Sequence, residues 1–154
     1  MCDVNEYDFK PDVLSQEQIK ENGVLYDDSV FYSQDYETTP LYDKDPELGG
    51  KLFTGLLYEQ FYDSDMISWY EYYTDGYGDG PYVEFYDTGE LASYCIMEGY
   101  GFVGKLYKWH RNGRLKAYTE KDDRDRYIKS VRWDEDGNIT YLSENGKCII
   151  NKEH

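Results

Sequence analysis

The sequence has few of the residues that would build a membrane span, a disulfide framework or a zinc site. No apolar run approaches the roughly 18 residues of a transmembrane helix, and we expect no signal peptide because the first residues lack a basic and then an apolar segment. The cysteines Cys2, Cys95 and Cys148 are odd in number and widely separated, which favours free thiols in a reducing compartment. We therefore expect a cytoplasmic protein with no membrane partner.

Alanine and cations are also scarce. Alanine occurs twice, whereas the 154 residues include 19 Tyr, 6 Phe and 3 Trp, so strand formers far outnumber the best helix former. Lys and Arg total 16 against 32 Asp and Glu, a net charge of −16. This charge argues against nucleic acid as a direct partner because phosphates would be repelled. The composition predicts a folded, β-rich, strongly acidic protein.

A 24-residue repeat runs through most of the chain. Its pattern is an aromatic residue, three residues, Gly, one residue, an aliphatic residue, two residues and then Tyr or a similar residue. Phe61, Phe85, Trp109 and Trp133 fill the aromatic position at equal spacing, although Asp65 replaces the glycine of the first unit. Repeats at this spacing indicate an array in which each unit buries a face against its neighbours.

Each unit is predicted to form a β-hairpin. Gly89, Gly113 and Gly137 fall in the turns, where glycine tolerates the positive φ that hairpin turns demand. Looser connections, such as residues 74–80, are expected between units. The positions expected in the core share one strand face: Val83, Phe85, Tyr94, Tyr107, Trp109, Val131 and Trp133.

The first fifty residues do not follow the repeat. Residues 12–21 are predicted to form a short helix, because Pro11 lies near its start and Gly23 just past its end. Residues 24–32 look like a hairpin, and residues 40–50 like a loop. The predicted organisation is an N-terminal cap, residues 1–50, and a repeat array, residues 51–154. The predicted fold class is mainly β, an antiparallel β-meander of about four 24-residue hairpins with a short helix and hairpin as its cap.

The recurring Phe/Trp-x-x-x-Gly-x-Leu hairpins, with the lead-in 52–55, resemble the MORN-variant repeat proteins of bacteria over residues 40–142. Many members of that family are grouped as antitoxins of toxin–antitoxin pairs or as immunity proteins of polymorphic toxin systems. The resemblance implies a β-hairpin repeat fold whose exposed positions choose a protein partner. A shared fold does not by itself imply a shared function.

No constellation for catalysis stands out in the sequence. His110 takes the position that Tyr86 and Asp134 take in neighbouring units, which indicates a solvent-facing side chain. Segment 134–138 lacks the distal Glu of a calcium loop, and segment 75–80 lacks the Lys of a phosphate loop. We therefore expect no enzymatic activity, no catalytic residue, no metal and no cofactor.

Charge is distributed unevenly along the chain. Residues 1–50 hold 13 acids and 3 bases, and residues 51–103 hold 10 acids and a single base, Lys51; residues 104–154 hold 9 acids and 12 bases. Fifteen of the 19 tyrosines lie with the acids in residues 1–103. Tyrosine beside carboxylate offers contact area and a charge that matches Arg or Lys. This pattern predicts a surface that binds a cationic protein.

The predicted partner-binding residues are the acids and tyrosines around the first two hairpins. They are Glu59, Tyr62, Asp63, Asp65, Glu71, Tyr72, Tyr73, Asp75, Tyr77, Asp79, Glu84, Tyr86, Asp87 and Glu90.

The leading functional hypothesis is an intracellular immunity or antitoxin protein. It would bind a basic toxin domain, such as a nuclease, and block its active site, and the free protein would be a monomer. One alternative is a MORN-like repeat scaffold that binds another protein with no toxin involved. Another alternative is a carbohydrate-directed enzyme, since paired carboxylates and aromatic residues are abundant.

Overall fold

One ten-stranded sheet dominates the computed structural model, which describes residues 4–34 and 40–153. The helix α1 spans Gln16–Asn22, and two 3-10 turns span Val4–Tyr7 and Pro46–Leu48. The strands are β1 (Val24–Leu25), β2 (Gly55–Gln60), β3 (Ile67–Thr74), β4 (Tyr77–Phe85), β5 (Leu91–Gly99), β6 (Gly101–Trp109), β7 (Leu115–Lys121), β8 (Tyr127–Trp133), β9 (Ile139–Glu144) and β10 (Lys147–Asn151).

The strands lie side by side in the order in which they occur in the chain. Each neighbouring pair from β2 to β10 is antiparallel, as short connections between consecutive strands allow. The predicted mainly β, antiparallel meander with one short helix is confirmed.

Three hairpins, β4–β5, β6–β7 and β8–β9, close with the same geometry. In each, a bulge precedes a final pair of an aromatic and an aliphatic residue, and a glycine with φ between 86° and 97° follows in the turn. The final pairs are Phe85 with Leu91, Trp109 with Leu115 and Trp133 with Ile139. All three rings are buried, as are the predicted core residues Val83, Tyr107 and Val131, whereas Tyr94 is half-buried.

The β2–β3 hairpin departs from this geometry because its turn is one residue longer. Gln60, rather than Phe61, forms the last pair, with Ile67. The positive φ of 53° falls at Asp63 and not at Asp65. The prediction that Phe61 takes the same place as the three buried rings is therefore wrong, and Phe61 is half-buried outside the strand.

Two connections between the hairpins are tight turns. Thr74 pairs with Tyr77 around Asp75 and Gly76, which both have positive φ, and Glu144 pairs with Lys147 in the same way around Asn145 and Gly146. Two central residues with positive φ are typical of a type I′ turn, which matches the twist of the flanking strands. A loose connection over residues 74–80 is thus a wrong prediction, since residues 77–80 belong to β4.

A capping box sets the start of α1 four residues later than predicted. The Ser15 hydroxyl accepts from the Gln18 amide at 3.1 Å, and the Gln18 side chain accepts from the Ser15 amide at 2.9 Å. Both groups satisfy N–H donors that the first helical turn cannot pair internally. The residues between Pro11 and Ser15 therefore lie outside the helix.

Residues 4–23 form a strap that crosses one face of the sheet from β8 to β2. Their buried side chains make a core with the strand residues beneath them: Tyr7 with Tyr118 and Trp133, Phe9 with Tyr94 and Tyr107, and Ile19 with Leu56 and Tyr58. The Leu14 amide also donates to the Tyr70 hydroxyl at 3.1 Å. We call this the covered face of the sheet and its opposite the open face.

Strand β1 does not form the predicted hairpin of residues 24–32. Val24 and Leu25 pair in parallel with Leu57 and Tyr58 of β2, so β1 extends the sheet at its edge. The turn at Asp27 does form, because its carbonyl accepts from the amides of Val30 and Phe31. Tyr32 then bridges to Tyr42 and not to β1.

Residues 40–54 return over the open face at β2 and β3. Leu41 and Phe53 bury Leu57 there. The turn glycine Gly76 fixes this segment, because its carbonyl accepts from the Leu41 amide at 2.8 Å and its amide donates to the Phe53 carbonyl at 2.7 Å. Tyr26 and Phe31, from the segment after β1, pack on the same region of the open face.

Candidate functional site

Strand register brings acidic and aromatic side chains together on the open face of β2–β5. Residues paired across antiparallel strands point to the same face, so the pairs define rows that cross the sheet. The three rows are Gly55–Tyr73–Gly78–Gly99, Leu57–Glu71–Tyr82–Cys95 and Glu59–Trp69–Glu84–Ser93.

Glu71 lies at the centre of these rows and is a buried acid, with 6% of its surface exposed. Burial raises the pKa of its carboxyl to about 7, although a hydrogen bond from the Tyr73 hydroxyl opposes the rise. No ion pair reaches Glu71 from any cation within residues 4–34 and 40–153. A buried carboxylate without a cation is costly, and such groups concentrate at functional sites.

Aromatic rings form the walls around this carboxyl. The ring of Trp69 stacks on Tyr82, with centroids 6.1 Å apart and planes 22° from parallel, and it lies 6.5 Å from the ring of Tyr26. The Trp69 indole nitrogen donates to a Glu59 carboxylate oxygen at 2.9 Å, which fixes the indole on the open face. Aromatic faces carry negative potential and therefore attract cations.

Several glycines, which have no side chain to fill the space, line a cavity in this region. A cavity of about 720 Å³ opens beside Glu71, and its lining includes Gly76, Gly78 and Gly99 as well as Trp69 and Tyr73. A Cβ added at Gly78 would lie 3.0 Å from a Glu71 carboxylate oxygen and 3.2 Å from the Met97 Cβ. The carboxyl therefore approaches the β4 backbone at a place where a side chain would press on it.

The other titratable groups beside Glu71 are held in their neutral forms. Burial raises the pKa of Tyr73 and Tyr82, and it raises the pKa of the Cys95 thiol to about 12. A nucleophilic cysteine needs a lowered pKa, because the thiolate is the reactive form. The chemistry of these neighbours suits binding rather than nucleophilic catalysis.

The predicted partner-binding residues fall in four places. Glu59, Glu71, Tyr73 and Glu84 come together on the open face. The others lie elsewhere: Tyr62, Asp63, Asp65, Tyr86, Asp87 and Glu90 at the β2–β3 and β4–β5 turns, Asp75, Tyr77 and Asp79 at the opposite end of the strands, and Tyr72 on the covered face beside Tyr70. Of these, Tyr77 also lines the cavity at Glu71.

Two of the predicted residues already have a cationic neighbour. Arg111 of the β6–β7 turn forms an ion pair of 2.7 Å with Asp87 and lies 4.6 Å from the centre of the Tyr86 ring. The Tyr86 hydroxyl also donates to the Trp109 carbonyl at 2.6 Å. These side chains join one hairpin to the next.

Sequence reasoning missed Trp69, Tyr82, Tyr26 and Gly78, all of which shape the site. A signal for Trp69 was present, because strand alternation places it on the same face as Glu71 and Tyr73. Tyr82 shares its face with Glu84 for the same reason. Tyr26 reaches Trp69 only because residues 24–25 pair with β2, and no local pattern predicts that contact.

The two parts of the chain differ in how far their charges are paired. In the described parts of the chain every ion pair takes its cation from Arg111 or a later residue. On the open face, Lys108 and Arg132 continue the row that begins with Glu59 and Glu84. The face thus runs from acidic at β2–β4 to basic at β6–β8.

The described residues contain no group of three or more His, Cys, Asp or Glu side chains placed to hold a metal ion. No helix within them is long and apolar enough to cross a membrane. Comparisons of the chain with protein-family models, with curated proteins and with solved structures gave no match.

Proposed function

We propose that the protein is a non-catalytic immunity or antitoxin protein that binds a basic toxin domain through the acidic half of its open face. The main support for this function is that the described acids in the first part of the chain have no ion-pair partners within the part of the protein that the structure describes. No acid within residues 4–34 and 40–86 forms an ion pair with a described residue. Like charges held on one surface destabilise the free protein, and a cationic partner would relieve that cost.

The geometry favours a protein partner over a small polyvalent cation. Glu59, Glu71 and Glu84 are separated on the open face by the rings of Trp69 and Tyr82. Aromatic anchors surrounded by charge are typical of protein interfaces, where rings supply affinity and charges speed association. A toxin that binds nucleic acid is basic for the same electrostatic reason, and the resemblance to MORN-variant repeat proteins supports such a partner.

The free thiols of Cys95 and Cys148 support a cytoplasmic site of action, because thiols persist where the compartment is reducing. Cys2 lies outside the described residues. An immunity protein must meet its toxin in the cell that it protects, so location and function agree.

Growth rescue tests this function. The chain is co-expressed with the C-terminal domain encoded by the neighbouring gene, in wild-type form and with Glu59→Lys and Glu84→Lys combined, at two half-buried acids of the open face. The control combines Glu135→Lys and Asp136→Lys, which are exposed acids of the basic half and change the net charge equally. Thermal unfolding verifies that both variants fold.

We expect the wild-type chain and the control to restore growth and the first variant to lose protection. Full protection by that variant, folded and at equal expression, would contradict binding through the acidic half. A neighbouring domain that binds the chain without being toxic would favour the repeat scaffold instead.

A further inference from the structure

The pocket at Glu71 has the composition of a receptor for a single organic cation. We propose that it binds an alkylammonium or alkylguanidinium group, with the carboxylate of Glu71 as counter-ion and the rings of Trp69, Tyr73 and Tyr26 as walls. This inference concerns a small ligand group and does not rest on a toxin as the partner.

The burial of Glu71 is the first support. Glu71 is 6% exposed, and it lines a cavity of about 720 Å³. Its protein hydrogen bond comes from Tyr73, and a carboxylate has about four acceptor positions. A buried acid that lines a cavity, with more acceptor positions than one tyrosine hydroxyl fills, is suited to a donor that arrives from outside.

The chemistry of the lining is the second support. Among the described residues, five aromatic side chains line it, those of Tyr26, Trp69, Tyr73, Tyr77 and Tyr100, and no described Lys or Arg does. An anion would therefore meet a carboxylate and no positive charge. A fully apolar ligand would leave the acid without a partner, at a cost of the order of 1–3 kcal/mol or more. A cation satisfies both the carboxylate and the ring faces.

The close approach at Gly78 is the third support. A Cβ there would lie 3.0 Å from the Glu71 carboxylate oxygen, and Gly78 pairs directly with Gly99 on β5 and with Tyr73 on β3. Gly78 thus lets the carboxylate lie close to the β4 backbone, and a Cβ at Gly99 would meet no atom within 4 Å, so this row is open on the β5 side. The cavity is thus built by residue choice along paired strands.

Binding should depend on pH in the range where Glu71 titrates. Its pKa is about 7 in the free protein, and the titratable groups that face it from β3, β4 and β5 are Tyr73, Tyr82 and Cys95, whose pKa values are raised. Of these groups, only the Glu71 carboxyl changes charge near neutral pH. The affinity for a cation should rise about tenfold between about pH 6 and about pH 8.

Isothermal titration calorimetry on the full chain tests the site. The probes are butylguanidinium and tetramethylammonium chloride, with butylurea as an uncharged analogue of the first. We expect butylguanidinium to bind at least about tenfold more tightly than butylurea. Glu71→Gln should lose that preference and its pH dependence, while Glu135→Gln, the same change at an exposed turn, should keep both.

A peptide arm identifies the source of the cation. Acetyl-Gly-Arg-Gly-amide that binds as tightly as butylguanidinium indicates the side chain of a protein, and a peptide that fails to bind indicates a free small molecule. Equal affinity for butylguanidinium and butylurea, or unchanged binding by folded Glu71→Gln, would overturn the cation site. Either result leaves the growth-rescue experiment unaffected, because that experiment leaves Glu71 intact.

Discussion

The hydroxyl of Tyr86 donates to the backbone carbonyl of Trp109 at 2.6 Å. The next hairpin repeats this relationship, since a ring nitrogen of His110 lies 2.9 Å from the carbonyl of Trp133. In both cases the residue that follows a strand-ending aromatic residue bonds to the backbone carbonyl of the next strand-ending aromatic residue, 23 positions further along the chain. His110, which the sequence indicated to be solvent-facing, is therefore half-buried and joins two hairpins.

Removing the Tyr86 hydroxyl tests this clip between hairpins. Tyr86→Phe should lower the free energy of unfolding by about 1 kcal/mol, because one part-buried hydrogen bond is lost and the ring remains. Urea unfolding measures the change. Tyr62→Phe is the control and should have no effect, since Tyr62 is fully exposed. Equal stability of the two variants would show that the hydrogen bond contributes nothing.

Truncating Trp109 tests the core beneath the strap. The indole is 7% exposed and stacks on Tyr107 with centroids 6.0 Å apart. Trp109→Ala should cost roughly 3–5 kcal/mol, from lost burial and the cavity that remains. Tyr127→Ala, at a ring that is 60% exposed, should cost much less. A melting temperature unchanged by Trp109→Ala would contradict the buried position.

Local patterns in the sequence were sufficient to predict the hairpin turns of β4–β5, β6–β7 and β8–β9 and the strand residues that flank them. Turn glycines and alternating apolar residues mark Phe85, Trp109 and Trp133, and the structure buries all three. The first hairpin was harder, because its turn gains one residue and Asp63 takes the positive φ. The aromatic residues keep their 24-residue spacing even though the turn of the first hairpin is one residue longer. The spacing alone therefore cannot reveal the longer turn.

Long-range pairing explains what the sequence left open. The strap reaches from β8 to β2 only because Tyr7, Phe9 and Ile19 find buried sites on separate strands. The charge pattern identified Glu59, Glu71 and Glu84, but the raised pKa of Glu71 depends on its burial. Burial of that side chain follows from rings on β3, β4 and the segment after β1, which no single stretch of sequence encodes.

The strap contributes to stability through α1. Ile19 is fully buried against Leu56 and Tyr58, so Ile19→Ala should lower the free energy of unfolding by about 2–5 kcal/mol. Chemical denaturation gives the value. Lys20→Ala changes an exposed neighbour in the same helix and should be nearly neutral. A similar small loss for both would mean that the strap is dispensable for folding.

Filling the pocket at Gly78 should weaken cation binding without unfolding the sheet. The new methyl group of Gly78→Ala would lie 3.0 Å from the Glu71 carboxylate and displace it. We expect the affinity for butylguanidinium to fall about tenfold or more, because a shift in the carboxylate disrupts the pairing geometry. Gly101→Ala is the matched control, since its Cβ would meet only Lys121 Nζ, at 3.8 Å. Isothermal titration calorimetry measures the affinity of both variants for butylguanidinium.

Glu71 should make the protein less stable as pH rises. Its folded-state pKa is about 7 against an ordinary 4.5, so the folded state holds the proton more tightly than the unfolded state. The resulting stabilisation is complete below about pH 4.5 and is lost as pH rises through about 7, by up to about 3 kcal/mol. Glu71→Gln should therefore match the wild type at about pH 4 and exceed its stability at about pH 8 in urea unfolding. A wild-type-minus-variant difference that stays constant between those pH values would mean that the Glu71 carboxyl is ionised throughout and that its burial is relieved by solvent.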